Sequence, residues 1–125
     1  MKISSFLMLK AIISLVFGIG FIAIPTAVWS IYGVELDPAG IMTTRFFGAC
    51  LGGIGLICMI SRNADFNTLK GITLSLCIAD TIGFLIALTA QLSEVINALG
   101  WINVAIWLLL ALGLGYFRFL KPGTS

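Results

Sequence analysis

Apolar residues fill this chain in four long runs separated by short polar breaks. The runs extend from Phe6 to Tyr32, Pro38 to Ile60, Leu69 to Leu92 and Val95 to Phe119. Each exceeds the ~20 residues that a helix needs to cross a ~30 Å hydrocarbon core. They are continuously apolar, without period-two alternation, which excludes membrane strands. The pattern predicts an all-α polytopic membrane protein, a single domain over residues 1–125. Its loops are short, so the four transmembrane helices should form an antiparallel bundle.

The breaks carry helix-boundary chemistry. Asp37-Pro38 reads as an N-cap followed by proline at the first helical position. Asn67 or Thr68 is expected to cap the third helix, and Ser93 the fourth. Pro25 lies inside the first run. It lacks a backbone donor, so it should kink that helix and free the Phe21 carbonyl.

Composition agrees with the pattern. Hydrophobic residues make up 60% of the chain and charged residues 10%, too little charge to cover a soluble surface. The net charge of +2 and the absence of a basic run give no reason to expect a nucleic-acid partner. The first run is too long for the core of a signal peptide and no A-x-A pattern follows, so it is read as retained. Lys2, Lys10, Arg62, Lys70, Arg118 and Lys121 fall on one side, with Lys10 expected to snorkel. Glu35, Asp37 and Glu94 fall on the other. This asymmetry predicts cytoplasmic termini in a bacterial-type cytoplasmic membrane. Trp29, Tyr32 and Trp101 would mark the outer interface and Tyr116 the inner one.

Two charges stand within the spans, Arg45 early in the second and Asp80 in the middle of the third. An ionisable group at such depth is costly and faces protein, a cavity or a partner. Arg45, Gly48, Gly52, Gly55 and Met59 recur at spacings of three and four and share a face. Gly48 and Gly52 form a G-x-x-x-G pair of the kind that lets membrane helices approach closely, which aligns Arg45 with the packing side. On the third helix Thr73, Cys77, Asp80, Phe84, Ala87 and Gln91 share a stripe, with Gly83 and Ala87 a second small pair. The fourth places Gly100, Asn103 and Trp107 together. Arg45, Asp80, Asn103 and Gln91, with Thr44 and Thr81, could therefore build a polar interior. Arg45 lies ~10 Å and Asp80 ~18 Å below the outer helix ends. The sequence leaves open whether they pair, because Arg45 leans outward and Asp80 inward. A snorkelling Arg45 and a neutral, hydrogen-bonded Asp80 are the simpler alternatives.

The chain contains no histidine, which removes the usual haem ligand, the commonest zinc ligand and the usual general base. No metal-ligand cluster or C-x-x-C occurs. Cys50, Cys58 and Cys77 read as packing residues. No cofactor is expected, and an enzyme is the weakest functional class.

GIGFIAIP in the first helix, RFFGACLGGIGL in the second and IADTIGFL in the third together resemble an uncharacterised family of small bacterial four-helix membrane proteins, distantly DoxX-like. Arg45, Gly48 and Gly52 match its R-x-x-G-x-x-x-G pattern. The resemblance implies the four-helix fold and brings no catalytic residues. Two functional expectations remain. One is a non-catalytic accessory or assembly subunit of a larger membrane complex, with lipids and other membrane subunits or further copies of itself as partners. The other is a homo-oligomeric transporter or channel for a small solute, ion or proton, resting on Arg45 and Asp80.

Overall fold

A computed structural model describes residues 2–120; Lys121 lies outside them. The elements are α1 (Ile3–Ala23), α2 (Pro25–Ile31), α3 (Pro38–Ser61), α4 (Phe66–Leu92) and α5 (Gly100–Gly115), the last continued by a π-helical turn (Tyr116–Leu120). The fold is all-α, with no strand among the described residues. Four helices are long and apolar enough to cross a membrane: α1, α3, α4 and α5 with its π-helical turn.

The chain forms two compact units, Leu7–Arg62 and a second made of residues 63–120 with the first turn of α1 up to Phe6. Each contains an antiparallel helix pair. In the first, Gly18 meets Gly48, and Ala11 and Leu15 meet Gly55. As the position falls on α1 it rises on α3, so the helices run in opposite directions. In the second, Gly83 meets Trp107, Cys77 meets Ala111, and Gln91 meets Gly100, the same inverse progression between α4 and α5. Phe6 packs in that unit against Phe117 and over Gly113.

Local chemistry sets the helix ends. Asp37 is extended at φ −80° and ψ 174°, and its Oδ1 accepts from the Gly40 amide at 2.6 Å. Proline at the next position needs no partner for a missing N–H, so α3 starts where the sequence predicts. The α4 boundary differs. Asp65, not Asn67 or Thr68, is the N-cap, with Oδ1 accepting from the Thr68 amide at 2.8 Å. Thr68 is the donor in this cap because an N-cap acts on the amide two or three residues ahead. Ser93 ends α4 instead of starting the next helix: its amide donates to the Thr89 carbonyl at 3.0 Å, and the Glu94 amide to the Gln91 carbonyl at 3.2 Å. Glu94 then takes the left-handed conformation at φ 59°, and α5 begins only at Gly100. The helix therefore starts five residues after the expected Val95, beyond a turn-rich connection in which Asn97 Oδ1 accepts from the Leu99 amide at 3.0 Å.

The first run does not merely bend. It breaks at Ile24, whose φ −136° and ψ 57° are non-helical, and α2 restarts at Pro25. Away from the packed faces the helices present bare apolar surface. Ile12, Val16 and Ile19 on α1 are each more than half exposed, as are Ile78, Ile82 and Leu85 on α4. Spacings of three and four put each set on one side of its helix. Apolar faces of this extent suit a hydrocarbon surround.

Candidate functional site

The break in the first span brings a polar cluster together in the first unit. A helix end leaves carbonyls without intrahelical partners, and Pro25 supplies no N–H to α1. Arg45 of α3 reaches this end, and its Nε donates to the Ile22 carbonyl at 3.2 Å. The sequence places the effect of Pro25 on the Phe21 carbonyl; the arginine is found on the neighbouring one. A cation at a helix C-terminus also meets the negative end of the macrodipole. One residue earlier on α3, the buried Thr44 Oγ1 accepts from Trp29 Nε1 of α2 at 3.1 Å. Phe21 stacks on Trp29 with centroids 5.8 Å apart and leans against Phe47 at 5.5 Å. Two polar contacts and an aromatic layer thus tie both sides of the break to α3.

Glycine makes this approach possible. A Cβ on Gly18 would lie 2.8 Å from the Gly48 carbonyl oxygen and 2.9 Å from the Gly52 nitrogen. A Cβ on Gly48 would lie 2.7 Å from the Gly18 oxygen, and one on Gly55 2.8 Å from Leu15 Cγ. Gly52 behaves differently: its backbone is approached by Gly18, yet a Cβ there would meet nothing within 4 Å. Gly48 and Gly55 are buried, but Arg45 and Met59 are exposed. Arg45 therefore lies at the rim of the packing face, not within it. The length and flexibility of its side chain let it reach Ile22 from there.

A buried cation on α1 replaces the expected snorkelling one. Lys10 is only 3% exposed and Ser14 4%. They share a face with Leu7, Ala11 and Gly18. The signal was present in this spacing, but a lysine so near a helix end is read by default as reaching for water.

In the second unit the predicted α4 stripe is realised. Thr73, Asp80 and Gln91 are buried, and Cys77, Phe84 and Ala87 half-buried. Asp80 is 2% exposed and about 20 Å from either end of its helix. Neither Asp80 nor the half-buried Asn103 is without a partner. Thr81 is exposed and donates to the Cys77 carbonyl at 2.8 Å, so it does not join the interior. Thr73 likewise donates to the Leu69 carbonyl at 2.6 Å. The Cys77 thiol donates across to the Ala111 carbonyl at 3.6 Å. Gln91 Nε2 donates to the Asn97 carbonyl at 3.0 Å, holding the α4–α5 connection. Its Oε1 is buried without a hydrogen-bond partner and lies against Gly100, where any Cβ would collide with it. The Trp107 ring covers Gly83, with Cε3 2.5 Å from where a Cβ would stand.

Cys50 is exposed, Cys58 buried and Cys77 half-buried, all as free thiols. Among the described residues no three His, Cys, Asp or Glu side chains converge as metal ligands would. No protein-family model, curated protein or solved structure matches the chain.

Proposed function

We infer that the protein is a non-catalytic integral membrane protein serving as an accessory or assembly subunit of a larger membrane complex. The supporting observation is how its intramembrane polar side chains are used. Arg45 bonds the Ile22 carbonyl, Thr73 the Leu69 carbonyl and Gln91 the Asn97 carbonyl. Arg45 and Gln91 satisfy backbone carbonyls beside helix ends, and Thr73 is satisfied within its own helix, as structural polar groups in a membrane are. The connections at residues 32–37 and 62–65 are too short to form a recognition domain, which leaves helix faces as the means of contact. A distant DoxX-like relationship fits the same reading through Arg45, Gly48 and Gly52. Purification from native membranes in mild detergent tests it. Stoichiometric co-purification of other membrane proteins is expected, and a lone homo-oligomer would refute it.

A transporter is the second reading, favoured by Asp80 being 2% exposed at mid-helix and Lys10 3% exposed. Buried ionisable groups at membrane depth mark proton and ion paths in many transporters. Under this reading Asp80→Asn folds normally and abolishes solute-coupled proton flux in liposomes. Under the subunit reading the same variant leaves association with partners intact.

The proposed orientation has both termini cytoplasmic, from Lys2, Arg62, Lys70 and Arg118 against Glu35, Asp37 and Glu94. In a background lacking Cys50, Cys58 and Cys77, an impermeant thiol reagent should label Glu35→Cys and spare Asn63→Cys in intact cells. Labelling of position 63 would reverse the assignment.

A further inference from the structure

Arg45 has one more feature than its structural hydrogen bond requires. Its Nε is held by the Ile22 carbonyl at 3.2 Å, which fixes the guanidinium plane while the terminal Nη groups stay outside that bond. The residue is exposed, and so are the neighbours on its side of α3: Met42 at 56%, Phe46 at 65%, and Ala49. The surface around the guanidinium is thus apolar and uncovered. It is also the only Lys or Arg between Lys10 and Arg62. Asp37, the acidic group at the start of the same helix, uses Oδ1 to cap the Gly40 amide.

Depth narrows the ligand. With 24 residues, α3 is about 36 Å long, so its ends project past a ~30 Å hydrocarbon core. Arg45 lies about 10 Å from the N-terminal end, so its Cα is about 7 Å below the edge of a ~30 Å core, within the reach of an arginine side chain. An arginine in a helix leans toward the helix N-terminus, here toward the headgroups. A group bound there must be anionic, sit at headgroup level and tolerate apolar walls beneath it. A phospholipid meets all three conditions, with its phosphate on the guanidinium and its acyl chains along Met42, Phe46 and Ala49. Arginine also matches phosphate oxygens in a planar, two-point geometry.

We propose that Arg45 is a phospholipid-binding residue, taking the phosphate of one membrane lipid on its Nη groups while Nε caps the broken first span. The site couples a bound headgroup to the helix break through a single side chain. It is independent of whether the protein assembles with other subunits.

The test uses the full-length protein in a neutral detergent, titrated with phosphatidylglycerol or with a phosphate-free diacyl glycolipid and read by native mass spectrometry. Wild type should bind one phosphatidylglycerol roughly tenfold more tightly than Arg45→Gln, the scale of losing a charge-assisted hydrogen bond. The glycolipid should bind both proteins equally. Equal phosphatidylglycerol affinity in the two proteins would overturn the assignment. So would competition by millimolar inorganic phosphate, which would mark a site for a soluble anion. Unchanged lipid binding with loss of a co-purifying membrane protein from Arg45→Gln would assign the guanidinium to a partner's carboxylate instead. If Arg45→Gln does not fold, wild type alone decides, because the two lipids must then differ by the same factor. Arg45→Lys, which keeps the charge and loses the two-point geometry, should fall between.

Discussion

Gly48→Ala perturbs the α1–α3 pair at its tightest point. The new methyl would stand 2.7 Å from the Gly18 carbonyl oxygen and 3.0 Å from both Phe21 Cβ and Ile22 Cγ1. Comfortable separation for such atoms is about 3.5 Å or more, so α1 must retreat by most of an ångström. The oxygen is backbone and cannot rotate away. Forcing a methyl into packed surroundings costs about 1–3 kcal/mol. Replacing glycine by alanine inside a helix returns about 0.8–1 kcal/mol, so Gly48→Ala alone should lose between roughly nothing and 2 kcal/mol. Gly53→Ala supplies the control. It lies on the same helix, and a Cβ there meets nothing within 4 Å, so it keeps the propensity gain and carries no clash. The two variants should therefore differ by about 1–3 kcal/mol, with the backbone propensity removed from the comparison. Gly52→Ala should follow Gly53→Ala, although Gly52 belongs to the G-x-x-x-G pair. Gly18→Ala, 2.8 Å from the Gly48 oxygen, should follow Gly48→Ala. Reversible unfolding in mixed micelles, followed by helical circular dichroism, gives the free energies. Equal stability of Gly48→Ala and Gly53→Ala would refute the close-approach argument.

Gly83→Ala should destabilise the α4–α5 pair by about 1–3 kcal/mol because its methyl overlaps the Trp107 ring; in a Trp107→Leu background the same change should cost little, and an undiminished cost there would show that another contact sets it. Removing the 3.1 Å Trp29–Thr44 hydrogen bond by Thr44→Val should cost about 1 kcal/mol, and a double-mutant cycle with Trp29→Phe should recover that coupling; additive effects would show that the bond contributes nothing. The Asp65 carboxyl is held below its usual value of 3.8 by hydrogen bonds from the Thr68 side chain and amide. A depressed folded-state pKa stabilises above the unfolded value and is lost as pH falls through the folded one. Protection of the Thr68 amide from hydrogen exchange should therefore drop below about pH 4 in wild type and stay flat with pH in Asp65→Asn; parallel pH profiles would exclude this cap as the cause.

Much of the fold is written locally. Continuous apolar runs of membrane-spanning length fix four helices, because a backbone in hydrocarbon must satisfy its own hydrogen bonds. Asp37-Pro38 marks the start of α3 without help from the rest of the chain. Pro25 marks the interruption of the first span, since its missing donor is a property of the residue itself. The α4 stripe from Thr73 to Gln91 is equally legible, because polar residues on an otherwise apolar helix show which side is buried.

What the sequence could not determine is which groups meet. The spacing of Lys10 and Ser14 marks one side of α1, but a lysine near a helix end suits the interface as well as the interior, so the sequence alone does not bury it. Arg45 shares helical spacing with Gly48 and Gly55 yet stands exposed, because a flexible side chain can leave the line of its own Cα. Gly48 and Gly52 look equivalent as a motif, but only Gly48 has a carbonyl, that of Gly18, where its Cβ would be. A glycine records that space is wanted without recording what fills it. That is decided by the second helix, and so by the tertiary structure alone.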